Sequence, residues 1–134
     1  MAFSLDKTFG IYPQALDVHE RRAEIISNNL VNQDTPGFKA QDLDFRSALA
    51  TYKSQMQDAK QMGSTSVNHQ NNANDLALEY LKFRSSSQPS LDGNTVDGQI
   101  EKSEYAENSI RYITSLNILT GKIKGLMTAI KGSQ

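Results

Sequence analysis

The chain has 134 residues, enough for one domain at most. Hydrophobic residues make up 37% of it and the mean hydropathy is −0.55, low for a compact globular core. A net charge of −1 and a pI near 6.1 provide no overall cationic field to hold a phosphate backbone, so nucleic acid is not an expected partner.

No run of 18 or more apolar residues occurs, so no segment is expected to span a bilayer. Cysteine is absent, which excludes disulfides and thiolate metal sites. Met1–Lys7 lacks a basic stretch followed by an apolar core, so a cleavable secretory signal is not expected and export would need another route.

Residues 1–32 read as one long N-terminal helix. Leu5, Phe9, Tyr12, Leu16, His19, Ala23, Ile26 and Leu30 alternate by four and three, a heptad seam broken in polarity only at His19. Such a helix would be roughly 40 Å long. Pro13 removes a hydrogen bond inside it, which predicts either a kink or a start near Tyr12 with Pro13 in the first turn. A second stripe, Ile11, Val18 and Ile25, recurs every seven residues on another face. Two apolar stripes imply two packing neighbours. The second could meet the rest of this chain or a neighbouring subunit. His19 reads as a seam histidine with a local partner rather than a metal ligand, since neither a cysteine nor the other histidine, His69, lies at ligand spacing.

Asn28, Asn29 and Asn32 then weaken the helix, and asparagine tolerates the left-handed conformation common just past a helix end. Thr35-Pro36-Gly37-Phe38 suits a type II turn, with Pro36 fixing φ near −65° and Gly37 taking the positive φ.

Residues 33–96 form an irregular middle. Leu43 and Phe45 fit a short extended piece. Leu49, Tyr52, Met56 and Ala59 return to helical spacing, which predicts a modest helix over about 46–60. The polar, low-complexity stretch 63–75 cannot bury enough surface to offset its ordering entropy and is expected to be mobile. Leu76, Leu78 and Tyr80 alternate like a strand, although Leu81 breaks the alternation. Asp92-Gly93-Asn94-Thr95-Val96-Asp97 resembles the start of a calcium loop, but Val96, Asp97 and Ser103 fall where that loop needs an oxygen ligand, glycine and glutamate. It reads instead as a turn into a helix, with Thr95 or Asp97 as N-cap.

Residues 97–134 form the second long helix, about 50 Å from Asp97 to Ile130. Its seam is Tyr105, Ser109, Tyr112, Leu116, Leu119, Ile123, Leu126 and Ile130. Ile110, Ile113, Ile118 and Met127 lie off that seam. Gly121 and Gly125 each cost about 1 kcal/mol relative to alanine. On the far face they either admit another backbone or mark local flexibility. The expected fold is mainly α: the terminal helices pair as an antiparallel coiled-coil hairpin around a short irregular, β-containing middle. That pair would leave Ile11, Val18, Ile25, Ile110, Ile113, Ile118, Gly121, Gly125 and Met127 for contacts between subunits.

Two motifs carry a family resemblance. Asn29-Leu30-Val31-Asn32-Gln33-Asp34-Thr35-Pro36-Gly37-Phe38-Lys39 resembles the N-terminal signature of bacterial flagellar axial proteins, the rod and hook family, whose members usually carry alanine in place of Val31. Gln88-Pro89-Ser90-Leu91-Asp92-Gly93-Asn94-Thr95-Val96-Asp97, then Asn108-Ser109-Ile110-Arg111-Tyr112, is similar to the proximal rod members in particular, as is the ending Leu126–Gly132. The resemblance covers residues 5–49 and 80–132.

The resemblance implies a structural subunit of the basal-body rod in the periplasmic space, delivered by the flagellar type III export apparatus. Its partners would be copies of itself, other rod proteins and the membrane-ring adaptor. The alternatives are another axial protein, rod or hook, or a soluble helical adaptor or export chaperone. Since no nucleophile–base pair, metal cluster or phosphate-cradling glycine loop is visible, no enzymatic activity, cofactor or small-molecule substrate is expected. The scattered carboxylates read as solvated faces.

Overall fold

The computed structural model describes residues 8–61, 79–85 and 90–132. It is mostly helical: α1 (Tyr12–Val31), β1 (Gln41–Leu43), α2 (Phe45–Gln61), β2 (Leu81–Phe83) and α3 (Gly98–Lys131) follow in order. Seam residue Leu5 and the polar stretch expected to be mobile lie outside the described residues.

α1 starts at Tyr12, with Pro13 in its first turn where the missing N–H costs nothing. Gly10, at φ +62°, separates it from the helical turn at residues 8–9. The helix ends without a left-handed asparagine. Asn32 has φ −99°, and its Nδ2 donates to the Asn28 carbonyl at 2.8 Å. Side-chain bonding supplies the stop, so the reversal falls to Gly37 (φ +73°), where Phe38 N–H donates to the Thr35 carbonyl in the expected type II turn.

β1 and β2 pair antiparallel, with Gln41 opposite Phe83, Asp42 opposite Lys82 and Leu43 opposite Leu81. The extended piece therefore lies earlier than Leu43–Phe45. The Asp44 carboxylate accepts from Ser47 N–H at 3.0 Å, capping α2 and drawing Phe45 into the helix. Lys82 and the Ser47 bonds hold the Asp44 carboxyl well below the usual carboxylate range.

The apolar core lies between α1, β1 and α2, where Val18, Leu43 and Ala48 are buried and Ile25, Phe45, Tyr52 and Tyr80 pack around them. Val18 is only 3% exposed. The expectation that Val18 and Ile25 meet another subunit is therefore corrected: the chain's own middle segment covers them. Ile11 is half-buried.

α3 is capped by Asp97, whose carboxylate accepts from Gln99 and Ile100 N–H. Glu101 in its first turn and Lys131 in its last complement the helix dipole. α1 and α3 touch in opposite chain directions: Asn29 meets Glu101, Arg22 meets Glu104, His19 meets Asn108, and Thr8 meets Lys122.

Candidate functional site

Two surfaces follow from this layout: the corner where the two motifs meet, and the outer face of α3.

At the corner the motif stretches interlock. Gly37 N–H donates to the Asp92 carbonyl, Thr95 N–H to the Phe38 carbonyl and Ala40 N–H to Thr95 Oγ1. Lys39 Nζ donates to the Gly93 carbonyl. Buried Asn94 aims Nδ2 at the carbonyls of Asn32, Gln33 and Thr35, at 2.8–3.0 Å, while its Oδ1 accepts from Val96 N–H. Asn29, also buried, exchanges two hydrogen bonds with the Gln41 backbone, its Oδ1 accepting from N–H and its Nδ2 donating to C=O. That side chain acts as a one-residue strand beside β1 and satisfies its open edge. Pro36 and Gly37 are exposed and Phe38 is half-buried.

Beneath the corner sits a charge network missed by sequence reasoning. Arg22 grips Asp42 with two hydrogen bonds, at 2.8 and 2.9 Å, and reaches Glu104 at 2.7 Å. Arg84 bridges Asp42 and Glu101, both at 2.7 Å. These five charges join α1, β1, the end of β2 and α3. The Asp42 bond, with the Asp42 and Glu104 charges, raises the Arg22 guanidinium pKa further. Burial disfavours ionised Asp42, but the hydrogen bonds from Arg22 and Arg84 outweigh it and hold its carboxyl below the usual range. Glu101 goes the other way: it is 1% exposed, and that burial raises its pKa despite the Asn29 hydrogen bond and the Arg84 charge. Glu101 is thus interior and Asp42 and Glu104 half-buried, not the solvated faces expected.

Next along the same contact, Asn108 Nδ2 donates to the His19 carbonyl at 2.8 Å, and its Oδ1 lies 2.8 Å from His19 Nδ1. Because that oxygen can only accept, Nδ1 carries the proton. His19 stacks on Phe45 at 4.3 Å. Burial, then the charges of Arg111 and Arg22, lower its pKa against the Asn108 hydrogen bond, so the ring is neutral. An open cleft of about 290 Å³ beside the pair is walled by Ala23, Tyr105, Tyr112 and Ile113. No group of three or more His, Asp or Glu among the described residues could hold a metal. No described helix is long and apolar enough to cross a membrane.

The α1–α3 contact is therefore polar where a heptad seam would be apolar. Of the seam residues expected in the first helix, Ile26 and His19 are buried, and Phe9, Tyr12, Leu16, Ala23 and Leu30 are half-buried, while Ala15, Val18 and Asn29 of α1 are buried off that seam. On α3 the expected seam is not the inner face. The face turned to α1 runs Glu101, Glu104, Asn108, Tyr112, Ser115, Leu119 and Leu126. At 100° per residue this is rotated by about 50° from the expected seam. Tyr112, Leu119 and Leu126 stay half-buried, whereas Leu116, Ile123 and Ile130 are exposed, Ile130 at 79%. The physical reason is the charge network and the His19–Asn108 pair, which claim the inner positions and turn the aliphatics outward. Ile110, Ile113, Ile118, Gly121, Gly125 and Met127 are exposed as well, Ile110 at 65%. An added Cβ at Gly121 or Gly125 would meet no atom within 4 Å.

No family model matches the chain. It is 46% identical over 135 residues to the flagellar basal body rod protein FlgB of Aeromonas hydrophila, with the whole of both chains covered. Identity to FlgB of Escherichia coli strain K12 is 36% over 135 residues, covering 98% of each chain. Identity to FlgB of Cereibacter sphaeroides is 40% over 123 residues, covering 92% of this chain and 93% of the relative.

Proposed function

The chain belongs to the family of the flagellar basal body rod protein FlgB, and we propose that it builds the proximal part of that rod, packing helically with copies of itself and with other rod proteins. It is a structural subunit serving motility, not an enzyme. In this reading residues 1–32 and 97–134 are the axial helices, wound in the assembled state as an antiparallel coiled-coil hairpin. Residues 33–96 form the corner that braces them. The rod lies in the periplasmic space, meets the membrane-ring adaptor, and receives the chain through the flagellar type III export apparatus.

One observation carries the assembly reading. Among the 34 residues of α3, the only buried side chains are polar, Glu101 and Asn108, while seven isoleucine, leucine and methionine side chains from Ile110 to Ile130 face outward. Ile113, Leu116, Ile123, Met127 and Ile130 share one side of the helix, and with Ile110 and Ile118 beyond it this is more aliphatic surface than an isolated soluble chain normally leaves wet. Neighbours in a helical, non-closing stack would cover it.

The test is a truncation before Leu126 in a strain lacking its own copy of the gene. Export of the shortened chain should persist while incorporation into purified basal bodies is lost. Normal basal bodies containing the truncated chain would defeat the proposal.

A further inference from the structure

From Asn108 to Gln134 the sequence contains no aspartate or glutamate but has four cations: Arg111, Lys122, Lys124 and Lys131. Arg111 is committed to Glu107 on its own helix, and Lys122 lies over the Tyr12 ring and donates to the Thr8 carbonyl. Lys124 and Lys131 have no carboxylate partner among the described residues. Seven residues apart, they border one side of the line on which Leu116, Ile123, Met127 and Ile130 are exposed.

The other end of the molecule has the opposite character. The corner exposes Asp34, Asp92 and Asp97, against Lys39 as the sole cation in residues 31–40 and 90–98. The Ser90 hydroxyl and the Asn94 N–H, both donating to it, hold the Asp92 carboxyl below its usual range, so it is charged at neutral pH. The same corner exposes two large aliphatics, Val31 at 82% and Leu91 fully. A net excess of two anions at the corner and two cations without a carboxylate partner at the tail, each beside bare apolar surface, therefore sit at opposite ends of a helix about 50 Å long. They cannot reach each other within one molecule.

We infer that the cationic, apolar end of α3 docks on the acidic corner of a second copy, head to tail; this inference rests on the rod reading. Such a contact is heterologous and leaves a free corner and a free tail at the two ends of every stack, so it propagates without closing. The Lys124 and Lys131 charges set its direction, since a tail-to-tail meeting opposes cations and a corner-to-corner meeting opposes carboxylates.

The test uses the full-length chain and sedimentation velocity over about 50–500 mM salt, a range in which screening falls from roughly 14 Å to about 4 Å. The wild type should self-associate and weaken as salt rises. Lys124→Glu/Lys131→Glu and Asp34→Lys/Asp92→Lys, which take the tail from two cations to two anions and the corner from a net two anions to a net two cations, should each lose association by about tenfold or more while keeping wild-type circular dichroism. Mixed together, the two variants should associate again, because the reversed tail matches the reversed corner. A wild type that stays monomeric, association insensitive to the reversals, or no rescue in the mixture overturns the contact. So does charge-dependent binding of α3 to phosphatidylglycerol vesicles with no self-association, which would make it a membrane-facing surface. If the reversals leave association unchanged while cells still build rods, the contact is refuted and the rod reading stands. If wild-type chain never enters basal bodies, the rod reading fails whatever its self-association.

Discussion

Asn94 is the pin of the corner, and replacing it should loosen the joint between the two motif stretches before it affects either helix. Its Nδ2 has two hydrogens shared among three carbonyls, and its Oδ1 takes the Val96 N–H. Asn94→Ala thus removes about three net hydrogen bonds at roughly 1 kcal/mol each. Part of that loss is recovered, because Gln33 and Thr35 are exposed and water can reach their carbonyls. The expected cost is about 2–3 kcal/mol. Asn94→Asp keeps the shape but turns a donor into an acceptor facing three carbonyl oxygens, and should cost at least as much. Its carboxyl would titrate above the usual range when folded, so stability is regained at low pH and lost as pH rises through that raised value. Hydrogen exchange provides the assay. The amides of Gly37, Ala40 and Thr95, which bridge the two stretches, should exchange some 30- to 150-fold faster in Asn94→Ala. Amides in mid-α1, such as Ala23, should keep their rates. A change below about threefold at the corner, or equal acceleration everywhere, would refute the pin.

Three further outcomes can be measured on the same protein. His19 is buried neutral with a lowered pKa, so stability is fully present above the unfolded value near 6.5 and declines as pH falls through it; urea midpoints at pH 7.5 and 5.5 should differ, and His19→Gln should reduce the difference. Arg84→Met strands buried Glu101 and part of Asp42 and should cost about 3 kcal/mol; adding Glu101→Leu should recover some of that loss, and a double variant less stable than the single one would contradict a network held by paired charge. Gly121→Ala meets open space and should raise helix stability by about 1 kcal/mol in the isolated chain; poorer incorporation into basal bodies of an otherwise more stable variant would show that a neighbour's backbone approaches there.

Much of the architecture was legible because long helices announce themselves by period. The Thr35–Phe38 turn and the helix of the middle segment follow from residues adjacent in sequence, whereas Pro13 left a kink or a start near Tyr12 open and the cap of α3 lay between Thr95 and Asp97 until the structure chose Tyr12 and Asp97. The partner of Leu81 was harder to read, since β1 pairing depends on Asn29 and Asp44 closing a short strand at both sides. The charge network left no local signal at all. Arg22, Asp42, Arg84, Glu101 and Glu104 come from four segments, and no spacing rule connects them.

That omission explains the error in the phase of α3. Scoring periodicity by hydrophobicity assumes that the greasiest face of a helix is the one its own chain buries. Here the inner positions are filled by Glu101, Glu104 and Asn108, each matched to a polar group on α1: Asn29, Arg22 and His19. Polar matching is directional, so it fixes the register of α1 against α3 with little apolar area. A seam of leucines could slide by a turn with small loss, whereas a slip here would strand Glu101 opposite no donor. The chain uses specific polar contacts to set its own shape and holds its aliphatic surface outward, where a sister molecule can cover it. On this account, replacing Asn108 and His19 by leucines should strengthen the α1–α3 pair in isolation yet permit alternative registers. A cysteine introduced at Ala23 would then trap a disulfide with one at Tyr105, its neighbour in the native register, and in a separate variant with one at Ser109, a turn away, rather than with the first alone. A single trapped register in that variant would mean that the hydrophobic face alone aligns the helices.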